Sequence, residues 1–503
     1  MDLPATSQID STARPAVVSE HALPSETWRR RGAVLPTEAL ADWPLLVPAG
    51  RGLSISGLAG TLVTLDGLRL APGPDGRFDL TVLPIALIDT ARVSAGPAGV
   101  AQGSGALAGV VDLTLAPVAA GGRLWSMAGV QADRGIAGLD VRAGGANGWL
   151  AAGFTQGGAL PAAGGLAASG QGRWHLAGRF SQDLGAAQLW GRALLATRRD
   201  GGERADHHDL ALGVAGGERW QWRLAVASGG QQQPDGSSRL AQARAVVSGA
   251  TGLVLPGATE PISLAAGAES RRLRVEAGTI HARELFAEAA VPLLQDRPAA
   301  ENLVATVGLR QAWLAGRSEL LWQAGGRWEF FPGIALRGQM ARGVDDLASR
   351  TGTGRSLGLI ATPAFLPGLA FTLDWRRQTA AASEVKALDV AANWRGRLGA
   401  GTQLAVQLMA TRHQVARFTP DPVPRLAGLA RVTLETGPWA VQAGWRHRSS
   451  LAGAPSRHWI DVGIERQLTQ RVRLVASLAN AGDAGSAAGP FGRQALLQLV
   501  AGF

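Results

Sequence analysis

Cysteine and tyrosine are both missing from this 503-residue chain, and lysine occurs once, at Lys386. Without cysteine there is no disulfide framework, which fits a protein of a cell envelope that avoids thiol oxidation. No apolar run approaches the roughly 20 residues that a spanning helix requires, so residence in a membrane would have to come from strands closed into a barrel. The opening Met1-Asp2-Leu3-Pro4-Ala5 has neither the basic nor the apolar region of an export signal. An exported form is therefore expected to have lost that signal from this numbering. Charged residues make up only 17% of the chain, with a net charge of +10. Arg29-Arg30-Arg31 is the one basic block. The other arginines are scattered at alternating positions, which argues against nucleic acid as a partner and suits a wet lumen or anionic lipid head groups.

What the chain has in quantity is glycine, at 68 residues, and a period of two. In Arg219–Ala227, Trp220, Trp222, Leu224 and Val226 share one face while Gln221, Arg223 and Ala225 share the other. Pleating makes such a segment a strand. The pattern recurs in Glu319–Phe330, Leu369–Arg376, Trp459–Glu465 and Arg471–Ala479. Roughly 22 such segments fit between residues 122 and 503, more than a soluble sandwich needs and close to the strand number of large plugged outer-membrane barrels. The predicted fold is all-β, a transmembrane antiparallel barrel.

Link lengths support this. Longer links are expected at 157–171, 197–206, 228–238, 343–353, 412–425 and 481–493, all after odd-numbered segments. Tight turns follow the even ones, at Gly216-Gly217, Pro332-Gly333, Pro367-Gly368, Thr436-Gly437-Pro438 and Thr469. Short inner turns alternating with longer outer loops are what a transmembrane barrel predicts. The stretch 249–262 breaks the rule, as a missed or merged strand would. With 16 tryptophans and no tyrosine, Trp has to supply the interfacial girdles; Trp220, Trp313, Trp328, Trp375, Trp394, Trp439, Trp445 and Trp459 are assigned to them. The last segment sets Ala495, Leu497, Leu499, Ala501 and the terminal Phe503 on one face.

Residues 51–117 have a different texture. Arg51–Gly57 leads into Thr61-Leu62-Val63-Thr64-Leu65-Asp66-Gly67-Leu68-Arg69-Leu70; Leu83-Pro84, Ile88-Asp89, Val93 and Gly96-Pro97-Ala98 follow; and the run closes on Gly103-Ser104-Gly105-Ala106-Leu107-Ala108-Gly109-Val110-Val111-Asp112-Leu113. In order and spacing it resembles the plug of TonB-dependent receptors, where an Asp-Gly-Leu-x-Arg-like step crosses the lumen. Asn480-Ala481-Gly482-Asp483 and Gly489-Pro490-Phe491-Gly492-Arg493 resemble the step before the family's last strand, and Phe503 resembles the aromatic terminus read by the barrel-insertion machinery. Arg92, Ser56, Gln102 and Asp112 depart from the family's usual acidic residue, Arg, Tyr and Asn.

The resemblance implies an N-terminal extension at 1–20, a plug at 21–120 and a barrel at 121–503, in the outer membrane of a Gram-negative bacterium and in contact with its lipid. Asp66, Gly67, Arg69, Gly96, Pro97, Gly103, Gly105 and Gly109 are the plug-motif residues. Ala16-Val17-Val18-Ser19 is the candidate TonB box, through which a TonB-ExbB-ExbD complex would supply energy, although Val18–Gly32 also reads as the plug's first strand and helix. The implied function is uptake of a small scarce ligand such as a metal chelate. Candidate contacts are Gln231, Gln232, Gln233, Asp345, Asp346, His413 and Arg417, on loops that are short for the family. The alternative is a non-transporting barrel that scaffolds envelope proteins. Ion pairs from Asp66, Arg69 and Arg92 to lumen acids such as Glu329, Asp374 or Glu465 are expected to hold the plug.

Other constellations carry less. In Asp206-His207-His208-Asp209, strand geometry lets only His207 and Asp209 share a metal. Gly354-Arg355-Ser356-Leu357-Gly358 matches a nucleophile-elbow string without its strand-turn-helix setting. The GxGxxxG of residues 103–109 has neither dinucleotide spacing nor a following helix. Enzymatic activity, a cofactor and a resident metal are not expected.

Overall fold

The protein is described from a computed structural model covering residues 20–49, 51–96, 100, 103–131, 134–159, 171–200, 202–276, 278–297, 300–345, 350–380, 383–417, 419–450, 455–481 and 493–503. The candidate TonB box Ala16–Ser19, together with Gln102, Pro97 and Asp346, lies outside the described residues.

The N-terminal domain starts with β1 (Glu20–Pro24), α1 (Ser25–Arg31) and α2 (Pro36–Leu40). Gly32, at φ 80°, ends α1 in the left-handed conformation that glycine adopts without strain. Pro36 opens α2, where its missing N–H costs nothing. The Glu38 carboxylate accepts from the Val34 and Leu35 amides at 2.8 and 3.2 Å, satisfying donors the helix leaves open. Then come β2 (Leu46–Ala49), β3 (Gly52–Ile55), β4 (Thr61–Leu65), β5 (Leu68–Arg69), β6 (Ile88–Ala95) and β7 (Gly109–Leu115). One sheet has the order β1-β6-β7-β4-β5, with β4 and β7 parallel; β2 and β3 pair separately. Trp28, Trp43, Leu46, Ile55, Leu80, Val93 and Leu113 are buried in a core that continues into Trp125, Trp149 and Leu194 of the surrounding wall.

That wall is a closed antiparallel barrel of 22 strands. Its first half is β8 (Gly121–Gln131), β9 (Arg134–Gly145), β10 (Gly148–Ala159), β11 (Gln171–Asp183), β12 (Ala187–Asp200), β13 (Glu203–Gly216), β14 (Trp220–Gln233), β15 (Gly236–Val254), β16 (Pro261–Val275), β17 (Gly278–Arg297) and β18 (Ala300–Leu314). The second is β19 (Arg317–Phe331), β20 (Ile334–Asp345), β21 (Arg350–Ala361), β22 (Leu369–Ala380), β23 (Ser383–Gly399), β24 (Thr402–Arg417), β25 (Leu426–Thr436), β26 (Trp439–Arg448), β27 (Arg457–Gln467), β28 (Val472–Ala479) and β29 (Gln494–Gly502). β29 pairs with β8 and closes the ring. At the seam the Phe503 amide donates to Gly122 O at 3.0 Å and the Gly122 amide to Phe503 O at 2.6 Å.

The alternation predicted from sequence sorts the wall into two surfaces. Leu150, Phe154, Leu176, Leu210, Leu224, Val226, Leu285, Leu309 and Leu497 face outward and are exposed, an apolar exterior suited to lipid. Trp220, Trp313, Trp328, Trp375, Trp439 and Trp445 share it. Trp459 does not: it alternates with exposed Ile460 and carries Arg446 over its ring at 5.4 Å, inside the barrel.

We call the end bearing Gly121 and Phe503 the near rim and the opposite end the far rim. Several expected far-rim loops are strands joined by tight turns. β12 runs to Asp200 and β13 starts at Glu203; β14 runs to Gln233 and β15 starts at Gly236. The segments 197–206 and 228–238 are polar on both faces, so hydropathy loses its period there while the ladder hydrogen bonds continue. No strand is missing at 249–262: β15 and β16 are joined by a near-rim link, with the register shifting between Ala250 and Val254.

Candidate functional site

The Asp66-Gly67 pair is the tip of the β4–β5 hairpin. Both residues have positive φ, 48° and 76°, the two-residue geometry that Asp-Gly favours. Asp66 is buried and its Oδ1 accepts from the Leu115 amide at 3.1 Å, tying the hairpin to the end of β7. Its carboxylate meets two barrel arginines, Arg192 at 3.4 Å and Arg179 at 3.5 Å. The backbone of the same turn is held as well: Arg223 donates to Asp66 O at 3.2 Å and Arg244 to Gly67 O at 2.9 Å. Arginines from β11, β12, β14 and β15 thus converge on one turn.

A second cluster surrounds Ser104. Its hydroxyl donates to Glu284 Oε1 at 2.5 Å, and its carbonyl accepts from the plug's own Arg69. Glu284 also takes Arg271 at 2.5 Å and pairs with Arg310. Arg310 reaches Glu269 at 2.9 Å and the carbonyl of Val100 at 2.7 Å. These side chains are almost wholly buried, so each charge depends on its partners to offset desolvation. The glycines fit the segment to this crowded place. Gly109 sits at φ 137°, and a Cβ there would stand 2.2 Å from Ser94 O. Gly105, also at positive φ, donates to Val344 O at 2.7 Å.

A third set ties down the two helices. Arg30 reaches Glu435 at 2.7 Å and Glu465 at 3.0 Å. Arg31 pairs with Asp42 and, at 3.4 Å, with Asp461. Asp42 in turn meets Arg431 at 2.6 Å and Arg446 at 3.6 Å.

Of the expected ties to lumen acids, that of Asp66 is reversed in polarity, since Asp66 meets arginines; Arg69 donates to Ser104 O and lies near enough to Glu284 of the wall for its charge to act on it. Of the three acids expected as partners, Glu465 is met by Arg30, Asp374 pairs with Arg337 in the wall at 2.6 Å, and Glu329 with Arg327 at 2.9 Å. Arg92 lies opposite Asp112 in the β6–β7 register. Burial pushes the Asp112 carboxyl up to about 6, against the Thr64 hydroxyl and Gly67 amide that donate to it at 2.5 and 3.1 Å.

Above the plug, a cavity of about 630 Å³ opens toward the far rim. Its floor is plug: Leu62, Arg69, Leu70 and the loop Pro72–Phe78. Its wall is barrel: Leu273, Val275, Ile280 and Asp345, with Pro420 above. Arg77 at its edge pairs with Asp421 at 2.8 Å, tying the plug loop to the link between β24 and β25. Arg69 and Gly105 belong both to this floor and to the segments of the Ser104 cluster, so the cavity floor is joined to that cluster through these two residues.

Of the candidate contact residues, Asp345 lines the cavity. Gln231 points inward and bonds the backbone N–H and C=O of Asp79 at 3.4 Å each, while Gln233 bonds Gln231. Gln232 faces out, because neighbours in a strand take opposite faces. All three glutamines belong to β14 and none to a loop. His413 is buried, its Nδ1 3.0 Å from Pro424 O, and Arg417 is exposed at the end of β24 and does not line the cavity. Gly96, at φ 105°, donates to Ala108 O at 3.0 Å; Gly103 has φ 102° and lies against Arg310. Phe503 lies on the exposed face with its ring over Gly122. His207 is edge-on to Phe78 at 5.2 Å while Asp209 goes to Arg192 at 2.7 Å, so the two form no common site. Residues 354–358 lie within β21 and make no elbow. Ser104, Glu284, Arg310 and Asp42 were not singled out from sequence. Glu284 and Arg310 are charges isolated on the inward face of a strand, Ser104 lies in a glycine-rich run and Asp42 just after α2; each needs the register before it finds a partner.

Residues 14–110 match the family model of the TonB-dependent receptor plug domain. No curated protein sequence matches the chain. Among solved structures, the siderophore receptor PirA from Acinetobacter baumannii superposes with a TM-score of 0.78 at 12% identity, over 100% of both chains. A variant of the ferric enterobactin receptor PfeA from Pseudomonas aeruginosa gives 0.77 at 13%, again over 100% of both. The ferric-catecholate import receptor Fiu from E. coli K12 gives 0.76 at 13%, over 97% of each. At these identities the likeness is one of fold.

Proposed function

We propose that this chain, a member of the TonB-dependent receptor family, works in a Gram-negative outer membrane as an energy-coupled receptor for a small ligand such as a metal chelate. The observation that carries the reading is the cavity of about 630 Å³ whose floor is plug and whose wall is barrel. Its volume lies in the range of small-molecule pockets, and several fold relatives are named for ferric chelates. A ligand seated there touches Arg69, which bonds Ser104, which bonds Glu284 of the wall. Capture would bias those contacts, and TonB pulling on the N-terminal extension would then open a path. The Ala16–Ser19 segment is the proposed point of attachment, and the tight far-rim turns favour a compact ligand over a large one.

A second reading, a plugged barrel that scaffolds envelope proteins without transport, draws on the Asp66-Gly67 turn. Arg179, Arg192, Arg223 and Arg244 all hold it, as a permanent closure would require. The two readings divide on ligand binding. Titrating the purified full chain with iron(III) tris-catecholate, read by tryptophan fluorescence, should give saturable quenching that Val275→Trp weakens by narrowing the cavity. Equal quenching of both proteins contradicts capture in this cavity.

A further inference from the structure

We infer that the outward face of β13–β17, at the far rim, is a binding site for the phosphate groups of surrounding lipid. His208, Arg239, Arg272, Arg274, His281 and Arg283 all lie there and all are exposed. Register makes them one patch. Arg239 stands directly opposite Arg274, Arg272 opposite His281, and Ser270 opposite Arg283. On the other side of Arg239 lies Gly230, and opposite that His208. Gly230 has no side chain, and the His208 ring fills its place: a Cβ on Gly230 would stand 2.5 Å from His208 Cε1.

Like charges directly opposite each other weaken a ladder unless something neutralises them. Among the described residues, none of the six side chains has a hydrogen bond or ion pair. Of the acids nearby, Asp206 pairs with Arg204 at 2.8 Å, while Glu276, over Gly236, and Asp235 in the same turn bond none of the six among the described residues. The missing partner is therefore an anion from outside the chain.

Position identifies its source. On the same strands the outward residues toward the near rim are apolar, including Leu210, Leu224, Ala243, Val247 and Leu285. The patch thus sits where the apolar band ends, at head-group level, a placement that rests on reading the barrel as a membrane wall. Four of the six residues are arginines, whose planar fork matches phosphate oxygens two at a time. From β15 to β17 they span about 10 Å, two strand spacings. That suits a head group with more than one phosphate, or two neighbouring lipids.

The test uses the full chain in detergent micelles containing lipid A, a diphosphorylated glycolipid, with retained lipid read by native mass spectrometry. The substitutions Arg239→Gln, Arg272→Gln, Arg274→Gln and Arg283→Gln together should lower retention at least about tenfold. Arg395→Gln with Arg397→Gln, at the near rim, should not. If the fourfold variant fails to form a heat-modifiable barrel, Arg272→Gln with Arg274→Gln serves, with a smaller loss in the same direction. Inorganic phosphate at the same concentration should not displace the lipid. Undiminished retention overturns the proposal, as does an equal loss in the near-rim control. So does selective loss of a co-purifying acidic protein while lipid retention stays the same. Iron chelate binding is not part of the readout, so this result stands apart from that of the uptake reading.

Discussion

Asp66 Oδ2 of the plug and Arg192 Nη1 of the barrel lie 3.4 Å apart, and the same arginine is held by Asp209 at 2.7 Å through its Nε. The wall thus orients the arginine before the plug meets it, and Arg179 adds a second cation to the Asp66 carboxylate. Asp66→Asn keeps the size of the side chain but removes the charge that offsets two buried cations. We expect the plug to lose about 2 kcal/mol, less than for an isolated buried pair because Arg192 keeps Asp209. Urea-dependent protease cleavage of the plug inside an intact barrel measures it.

Glu284 is the acceptor on which Ser104, Arg271 and Arg310 converge. Glu284→Gln leaves two guanidinium groups short of countercharge in a buried place. A cost of about 3–5 kcal/mol follows, and it falls on the segment under the cavity. Hydrogen exchange should show faster exchange at residues 103–109, with the β8–β9 amides unchanged.

Gly109→Ala tests the close approach of β6 and β7. The added methyl would stand 2.2 Å from Ser94 O at a backbone φ of 137°. The strands must separate, at a cost of about 2–4 kcal/mol, seen as a lower urea midpoint for the plug. A substitution at Gly145, whose Cβ would meet open space, is the matched control.

The plug should also respond to pH through Asp112. Burial holds its carboxyl at about 6, above its ordinary 3.8, so the native plug binds this proton more tightly than the unfolded chain does. The resulting stabilisation is full below pH 4 and is lost as pH rises through about 6. Its size is on the order of 2 kcal/mol, allowing for partial exposure. Asp112→Asn keeps an acceptor for Thr64 and Gly67 and removes the titration. The urea midpoint of the wild-type plug should fall between pH 4 and 7, while that of the variant should stay level.

How much of this was legible in the sequence follows from what each signal encodes. Alternation in Arg219–Ala227 and Leu369–Arg376 was readable because one face meets lipid and the other a polar lumen, and those segments are parts of β14 and β22. The string Asp66-Gly67 announced its hairpin, because few residues tolerate two positive φ angles. Gln231–Gln233 misled, since polarity at the far rim reflects water on both faces and carries no information on whether the ladder stops. Trp459 misled for the opposite reason: tryptophan suits both a lipid interface and an arginine inside the barrel. The ion clusters were not legible at all. Glu284 and Ser104 are 180 residues apart, and only the wrapping of the barrel around the plug brings them together.

Energy coupling is tested most directly by binding of the full chain to the periplasmic domain of its host's TonB, compared with a chain lacking residues 1–20. An energy-coupled receptor should show saturable binding by the full chain, strengthened by a ligand in the cavity and abolished by the deletion. Absence of binding by either form would contradict energy coupling and favour the scaffold reading.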